Sequence, residues 1–171
     1  MELLIPGLIL VALMVYASTR IKKTAAAAFE QETIESDAFI IEKPEGFLNV
    51  INCDPTLEFE AYSRDFGDED AENMRQARVE IQRLKGTPPE RAIKDITASI
   101  KVTSRNTEIV DERKYFLIEA ERIEKGVGLV ELYKIAASGS DTLVLKITAL
   151  EQTSEDVARK IQLLASGFSV K

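Results

Sequence analysis

The 171-residue chain is 45% hydrophobic and 30% charged, with eight Gly, five Pro and a net charge of −7; this suits one globular domain and excludes a disordered chain, a collagen-like repeat and a multi-pass membrane protein. It has no His and a single Cys, Cys53, which removes Ser-His-Asp, Cys-His and His-zinc chemistry and any internal disulfide. Beyond residue 23, 28 acidic side chains stand against 19 basic ones, and the chain has no Trp, so a phosphate backbone is repelled, lacks a stacking platform, and no nucleic-acid partner is expected.

Residues 3–17 read LLIPGLILVALMVYA, fifteen positions without a charge. A bilayer core about 30 Å thick needs roughly 20 helical residues, with about 17 as the lower limit. The run suffices if Arg20 and Lys22 snorkel to the interface. Pro6 falls in the first turns, where its missing N–H costs little. The expected transmembrane anchor spans residues 1–23, with Leu3, Leu4, Ile5, Leu8, Ile9, Leu10, Val11, Leu13, Met14, Val15 and Tyr16 against lipid and Arg20, Lys22 and Lys23 against headgroups. The competing reading is a cleaved signal peptide, with Val15 and Ala17 before a cut at Ser18. Such a peptide wants positive charge ahead of its apolar run, where this chain carries only Glu2. Basic residues after the run place the following domain on the cytoplasmic side, and the unpaired Cys53 agrees with a reducing compartment. Residues 24–36 begin Thr24-Ala25-Ala26-Ala27-Ala28, contain no Gly or Pro, and are expected to continue as a helical stalk.

Residues 37–171 are expected to form a soluble α+β domain. Phe39–Glu42 and Phe47–Ile51 are apolar runs joined by a Pro- and Gly-containing turn, Lys43-Pro44-Glu45-Gly46. Leu57, Phe59 and Ala61 alternate with Glu58, Glu60 and Tyr62, and Ala77, Val79 and Ile81 alternate with Arg78, Glu80 and Gln82; both predict strands. Thr87-Pro88-Pro89-Glu90 reads as a capped helix start, with Thr87 as cap, and Ile93, Ile96 and Ile100 as one apolar stripe. Strands are expected near Thr107–Val110, Lys114–Ile123, Leu129–Ala137 and Thr142–Leu150, the last three as an antiparallel meander turning at Gly126–Gly128 and Ser138–Asp141. A second helix, capped at Thr153, places Val157, Ile161, Leu164 and Phe168 on one stripe. The stripes need an apolar partner, which predicts one antiparallel β-sheet covered by helices.

Two short strands around Pro44, Gly46 and Phe47, then a strand, a capped helix, a long meander and a C-terminal helix ending near Ser166 and Phe168 resemble the PsbP-like and DcrB-like αβα sandwich superfamily. The resemblance covers about residues 39–170; Phe47 stands where many members have Trp. It implies an αβα sandwich and a non-enzymatic accessory or assembly role in a larger complex, in several members at a membrane.

Few residues suggest chemistry. Asp65-Phe66-Gly67 matches a kinase magnesium triplet, but no other kinase motif accompanies it. Asp65, Asp68, Glu69, Asp70 and Glu72 crowd one loop; Asp65, Asp68 and Asp70 are the metal candidates, without EF-hand spacing. Asp111, Glu112, Glu119, Glu121 and Glu124 read as a solvent face partly neutralised by Lys114, Arg122 and Lys125, and Cys53 has no neighbouring base to activate it. No cofactor is expected. The reading is a single-pass membrane-anchored accessory subunit whose partners are the bilayer and a membrane protein complex. The alternatives are a tethered small-ligand-binding module or a Mg-dependent carboxylate enzyme.

Overall fold

Strand-forming alternation after residue 38 builds two antiparallel sheets in a computed structural model that describes every residue except 1–10, 12, 21–26 and 52. The larger sheet has seven strands in the order β3-β4-β5-β9-β8-β7-β6: β3 Phe47–Asn49, β4 Leu57–Ser63, β5 Ala77–Leu84, β6 Lys101–Val110, β7 Arg113–Glu124, β8 Val127–Ser138 and β9 Asp141–Leu150. The smaller sheet joins β1 Glu32–Glu35, β2 Phe39–Lys43 and β10 Ser169–Val170 in the order β1-β2-β10. Two helices complete the domain, α1 Pro89–Thr97 and α2 Glu155–Gly167.

One face of the large sheet makes the main core. Period-two alternation sends Ala77, Val79 and Ile81 of β5 and Leu143, Leu145 and Ile147 of β9 to the same side, all essentially inaccessible. There they meet Phe39 and Ile41 of β2, Val157 and Leu164 of α2, and Phe168. On the opposite face Ile118, Tyr133, Ile135 and Val144 pack against Ile93 and Ile96 of α1 and Ile100 beyond it. α1 is nine residues long, so it roofs only part of that face.

Several expectations are corrected. A single sheet was expected, but β2 leaves the large sheet to pair with β1 and β10, because Phe39 and Ile41 are needed in the main core while Ile40 and Phe39 register with Ser169 and Val170. The helical stalk expected to residue 36 gives way before it: Glu32–Glu35 is a strand, registered Glu32 to Lys43 through Glu35 to Ile40. Thr87 does not cap α1. Pro88 holds the cap position without a side-chain bond, and the Thr87 hydroxyl donates to the Lys85 carbonyl at 3.2 Å. The second cap is Ser154, not Thr153; its Oγ accepts the Val157 N–H at 3.3 Å. β6 begins at Lys101, six residues before the expected Thr107.

Leu3, Leu4, Ile5, Leu8, Ile9, Leu10, Lys22 and Lys23 of the expected anchor lie outside the described residues. Residues 13–20 are helical, and Val11, Leu13, Met14, Val15 and Tyr16 are each at least 60% exposed. Among the described residues no helix is long and apolar enough to cross a membrane.

Lys43 fixes where the chain enters the domain. Its buried ammonium donates to the carbonyls of Ala28, Glu30 and Phe47 at 3.4, 2.5 and 3.1 Å, so all three donors are used. Burial holds its pKa below the usual lysine range. The Gly46 N–H, at a φ of +87° that favours glycine, donates to the Phe29 carbonyl at 2.7 Å.

The β6–β7 hairpin turns on Asp111 and Glu112, both with positive φ (50° and 65°), between the registered pair Val110 and Arg113. A two-residue turn of that hand favours Asn-Gly. The double substitution Asp111→Asn, Glu112→Gly should stabilise the domain by about 1 kcal/mol. An upward shift of the urea midpoint at unchanged slope is the readout; no shift would refute the strain.

Candidate functional site

Polar residues of four strands line the part of the second face that α1 leaves open. β4 presents Glu60, β5 Arg78, Glu80 and Gln82, β9 Lys146 and β8 Glu131 and Tyr133. Alternation places all of them opposite the main core. With Ile96, Ser99, Ile100, Leu57 and Val144 along one flank, Glu80, Gln82, Arg122, Glu131, Tyr133 and Lys146 bound a groove of about 540 Å³, of whose lining Glu60 and Arg78 are not part.

Glu131 is the centre of this groove. It is 1% exposed, although it carries a charge. Its Oε2 accepts the Tyr133 hydroxyl at 2.7 Å. Its Oε1 lies 3.0 Å from Lys146 Nζ and 3.5 Å from Arg122 Nε, an ion pair with each. Burial by itself would raise the Glu131 pKa; Tyr133, Lys146 and Arg122 together outweigh burial and hold it below the ordinary 4.5. Burial, then the carboxylate, drive Tyr133 strongly upward, so the phenol stays a donor. Around this centre Arg78 bridges Glu60 at 2.7 Å and Glu80 at 3.0 Å, and Arg122 also holds Glu124 at 2.6 Å. The floor is thus a fixed lattice of alternating charge around one buried carboxylate.

The candidates named from sequence lie elsewhere. Asp68 and Asp70 line a second cavity of about 360 Å³ with Glu69, Gly128 and Glu151, and both are exposed. Asp65 is not part of its lining; it pairs with Arg64 at 3.4 Å. Among the described residues no group of three His, Cys, Asp or Glu is placed to hold a metal ion. Glu121 pairs with Lys101 at 2.7 Å and Glu124 with Arg122. Lys114 lies over the Phe116 ring at 4.7 Å. Cys53 is half-buried, its thiol 3.7 Å from the Leu57 carbonyl. Of the described anchor and headgroup residues, Val11, Leu13, Met14, Val15, Tyr16 and Arg20 are all exposed.

Glu131 was legible only as an oddity, one acid inside the apolar run Gly128-Leu129-Val130-Glu131-Leu132-Tyr133, with Tyr133 two residues on and therefore on the same face.

No family model matches the chain, and no curated protein matches it. Solved structures do. LpqN of Mycobacterium tuberculosis, described as involved in cell envelope biogenesis, superposes with a TM-score of 0.58 at 7% identity, covering 83% of this chain and 91% of that one. Cyanobacterial PsbP (CyanoP) of Synechocystis gives 0.53 at 12%, covering 83% and 92%. The Saccharomyces cerevisiae Ran-binding protein Mog1p gives 0.53 at 12%, covering 83% and 96%. A Bacteroides thetaiotaomicron protein matches at 0.54 and 12%, and there this chain spans only 45% of its length. At such identities the likeness carries the fold alone: the chain has a PsbP/Mog1-like α+β fold.

Proposed function

We propose that the chain is a membrane-tethered, non-enzymatic accessory domain that receives a partner protein in the groove over Glu131. The observation that carries this reading is an almost wholly buried carboxylate in the wall of an open groove, held by Tyr133, Lys146 and Arg122. Lys146 and Arg122 have side chains 27% and 43% exposed, so this fixed set of charges can meet a polar partner and select where its groups sit. Fold-mates described as Ran-binding or as serving cell envelope biogenesis agree with a role in interaction.

The tether is supported by Val11, Leu13, Met14, Val15 and Tyr16, which project from helical residues without burial against the domain. Thr19 returns its hydroxyl to the Val15 carbonyl at 2.8 Å, a bond that removes a polar group from an apolar setting. Arg20, Lys22 and Lys23 would face headgroups on the cytoplasmic side.

A photo-crosslinker at Ser99, on the exposed groove rim, tests both parts in the full chain. The expected result is membrane-pelleted protein yielding one discrete protein adduct, which Gln82→Arg abolishes and a crosslinker at Lys94 does not give. A chain recovered wholly in the soluble fraction would remove the tether. The groove volume also lies in the range of small-ligand sites, roughly 300–1,000 Å³. Absence of any protein adduct, with a small molecule raising thermal stability instead, would favour that second reading.

A further inference from the structure

We infer that two copies of this chain pair through the free edge of β6, antiparallel about Thr107. β6 runs ten residues and is hydrogen-bonded to β7 alone among the described strands. The other edge of the large sheet, β3, is only three residues long. A long exposed edge is a template for another strand unless charge, proline or a bulge blunts it. Here the register irregularity lies between Val102 and Ser104, so residues 104–110 form a regular, proline-free stretch beyond it. Ile109 and Val110, at 74% and 41% exposure, end that stretch unburied.

The residues of this stretch match themselves. Antiparallel neighbours that face each other point to the same side of a sheet, so a two-fold axis must pass through a residue. Centred on Thr107, it sets Thr107 against its own copy, Asn106 against Glu108, Arg105 against Ile109 and Ser104 against Val110. Three of the four contacts are favourable types: paired hydroxyls, an amide beside a carboxylate whose Oε1 Lys134 already holds at 3.0 Å, and an arginine stem over an aliphatic side chain; Ser104 beside Val110 opposes no charge. Centring on Arg105 or Glu108 would oppose like charges, and centring on Asn106 would set Ile109 against the irregular Thr103. Only Thr107 uses all seven residues.

A two-fold normal to the sheet also keeps both three-stranded sheets on one side. In both chains residues 28–30, held to the domain by Lys43 and Gly46, then sit beside β2 of the smaller sheet, an arrangement compatible with a common bilayer. One strand pair buries less than the roughly 1,200 Å² of a stable interface. Confinement to a membrane raises the effective concentration enough for a weak pair to form; this point alone rests on the proposed tether.

The test uses the full chain with Cys53→Ser, fractionated first and then treated with a short bis-maleimide in intact membranes. Thr107→Cys should give about tenfold more covalent homodimer than Ser140→Cys, an exposed control on the β8–β9 turn. Copies carrying Asn106→Cys and Glu108→Cys, expressed together, should crosslink to each other. Thr107→Lys in both copies should abolish that product, and Thr107→Lys in one with Thr107→Glu in the other should restore it. Thr107 is exposed, so these variants retain the fold. Homodimer no greater than the Ser140→Cys control, or adducts only with a different protein, would overturn the pairing. Soluble chain that still crosslinks through Thr107→Cys would support the pairing and remove the tether.

Discussion

Phe168→Ala should lower the stability of the domain by about 4 kcal/mol, in the range of large-to-small changes at buried aromatics. Phe168 is 1% exposed and lies 6.2 Å, centroid to centroid, from Phe39. It also terminates α2, taking up extended backbone as the chain passes into β10. There the Val170 N–H donates to the buried Tyr115 hydroxyl at 3.1 Å. Truncation therefore leaves a cavity between helix and small sheet and loosens the pairing of β10 with β2. Domain stabilities run to about 5–15 kcal/mol, so this one change removes a large share. Leu163→Ala, on the same helix but 51% exposed, should cost no more than about 0.5 kcal/mol. Among the described residues every buried core residue lies within 38–170, so urea unfolding of a chain lacking the first 23 residues reports the difference. A loss below about 1 kcal/mol would contradict the packing described.

Glu131→Ala should cost about 3 kcal/mol, because a buried network that loses one charge keeps the desolvation of the others without their partner. Tyr133 loses the acceptor for a buried hydroxyl, whereas Lys146 and Arg122 have side chains 27% and 43% exposed and recover water. The double variant Glu131→Leu, Tyr133→Phe should recover part of the loss, since an apolar replacement leaves no orphaned polar atom. The pH dependence has a definite sign. The Glu131 pKa is depressed on folding, so its contribution is present above the ordinary 4.5 and disappears as pH falls through the folded value. That of Tyr133 is raised; its contribution is intact below 10.0 and disappears as pH climbs through the folded value. The stability gap between wild type and Glu131→Ala should thus narrow in acid, and Tyr133→Phe should flatten the alkaline limb. A gap independent of pH below 4.5 would show that folding does not lower the Glu131 pKa.

Local patterning accounts for most elements. Leu143, Leu145 and Ile147 alternate with Thr142, Val144, Lys146 and Thr148, so β9 and its inward face follow from a period of two. Val157, Ile161 and Leu164 share a helical stripe and reach the main core, while Phe168, expected on the same stripe, joins them from the extended residue that follows α2. Gly139, at a φ of +62°, turns β8 into β9 within Ser138–Asp141, where the turn was expected. The groove was far less legible. Its carboxylate is defined by Lys146, fifteen residues on in the next strand, and by Arg122, nine residues back in the previous one; nothing in the local sequence around Glu131 specifies either contact.

Sequence alone therefore determined the acidic charge, the lack of histidine chemistry, the alternating strands, the two amphipathic helices and the α+β class, because each is written in composition or in periods of two and 3.6 residues. Tertiary structure decided that residues 32–35 extend rather than coil, that Phe39 and Ile40 pair with residues 169–170, and that Glu131 is buried among partners. The second of these joins the two ends of the domain, and the first and third join neighbouring strands, so each depends on surfaces that meet only in the folded chain. Local preferences amount to about 1 kcal/mol or less per residue and yield to the burial of a Phe39 or an Ile41, which is worth about 1.5–3 kcal/mol.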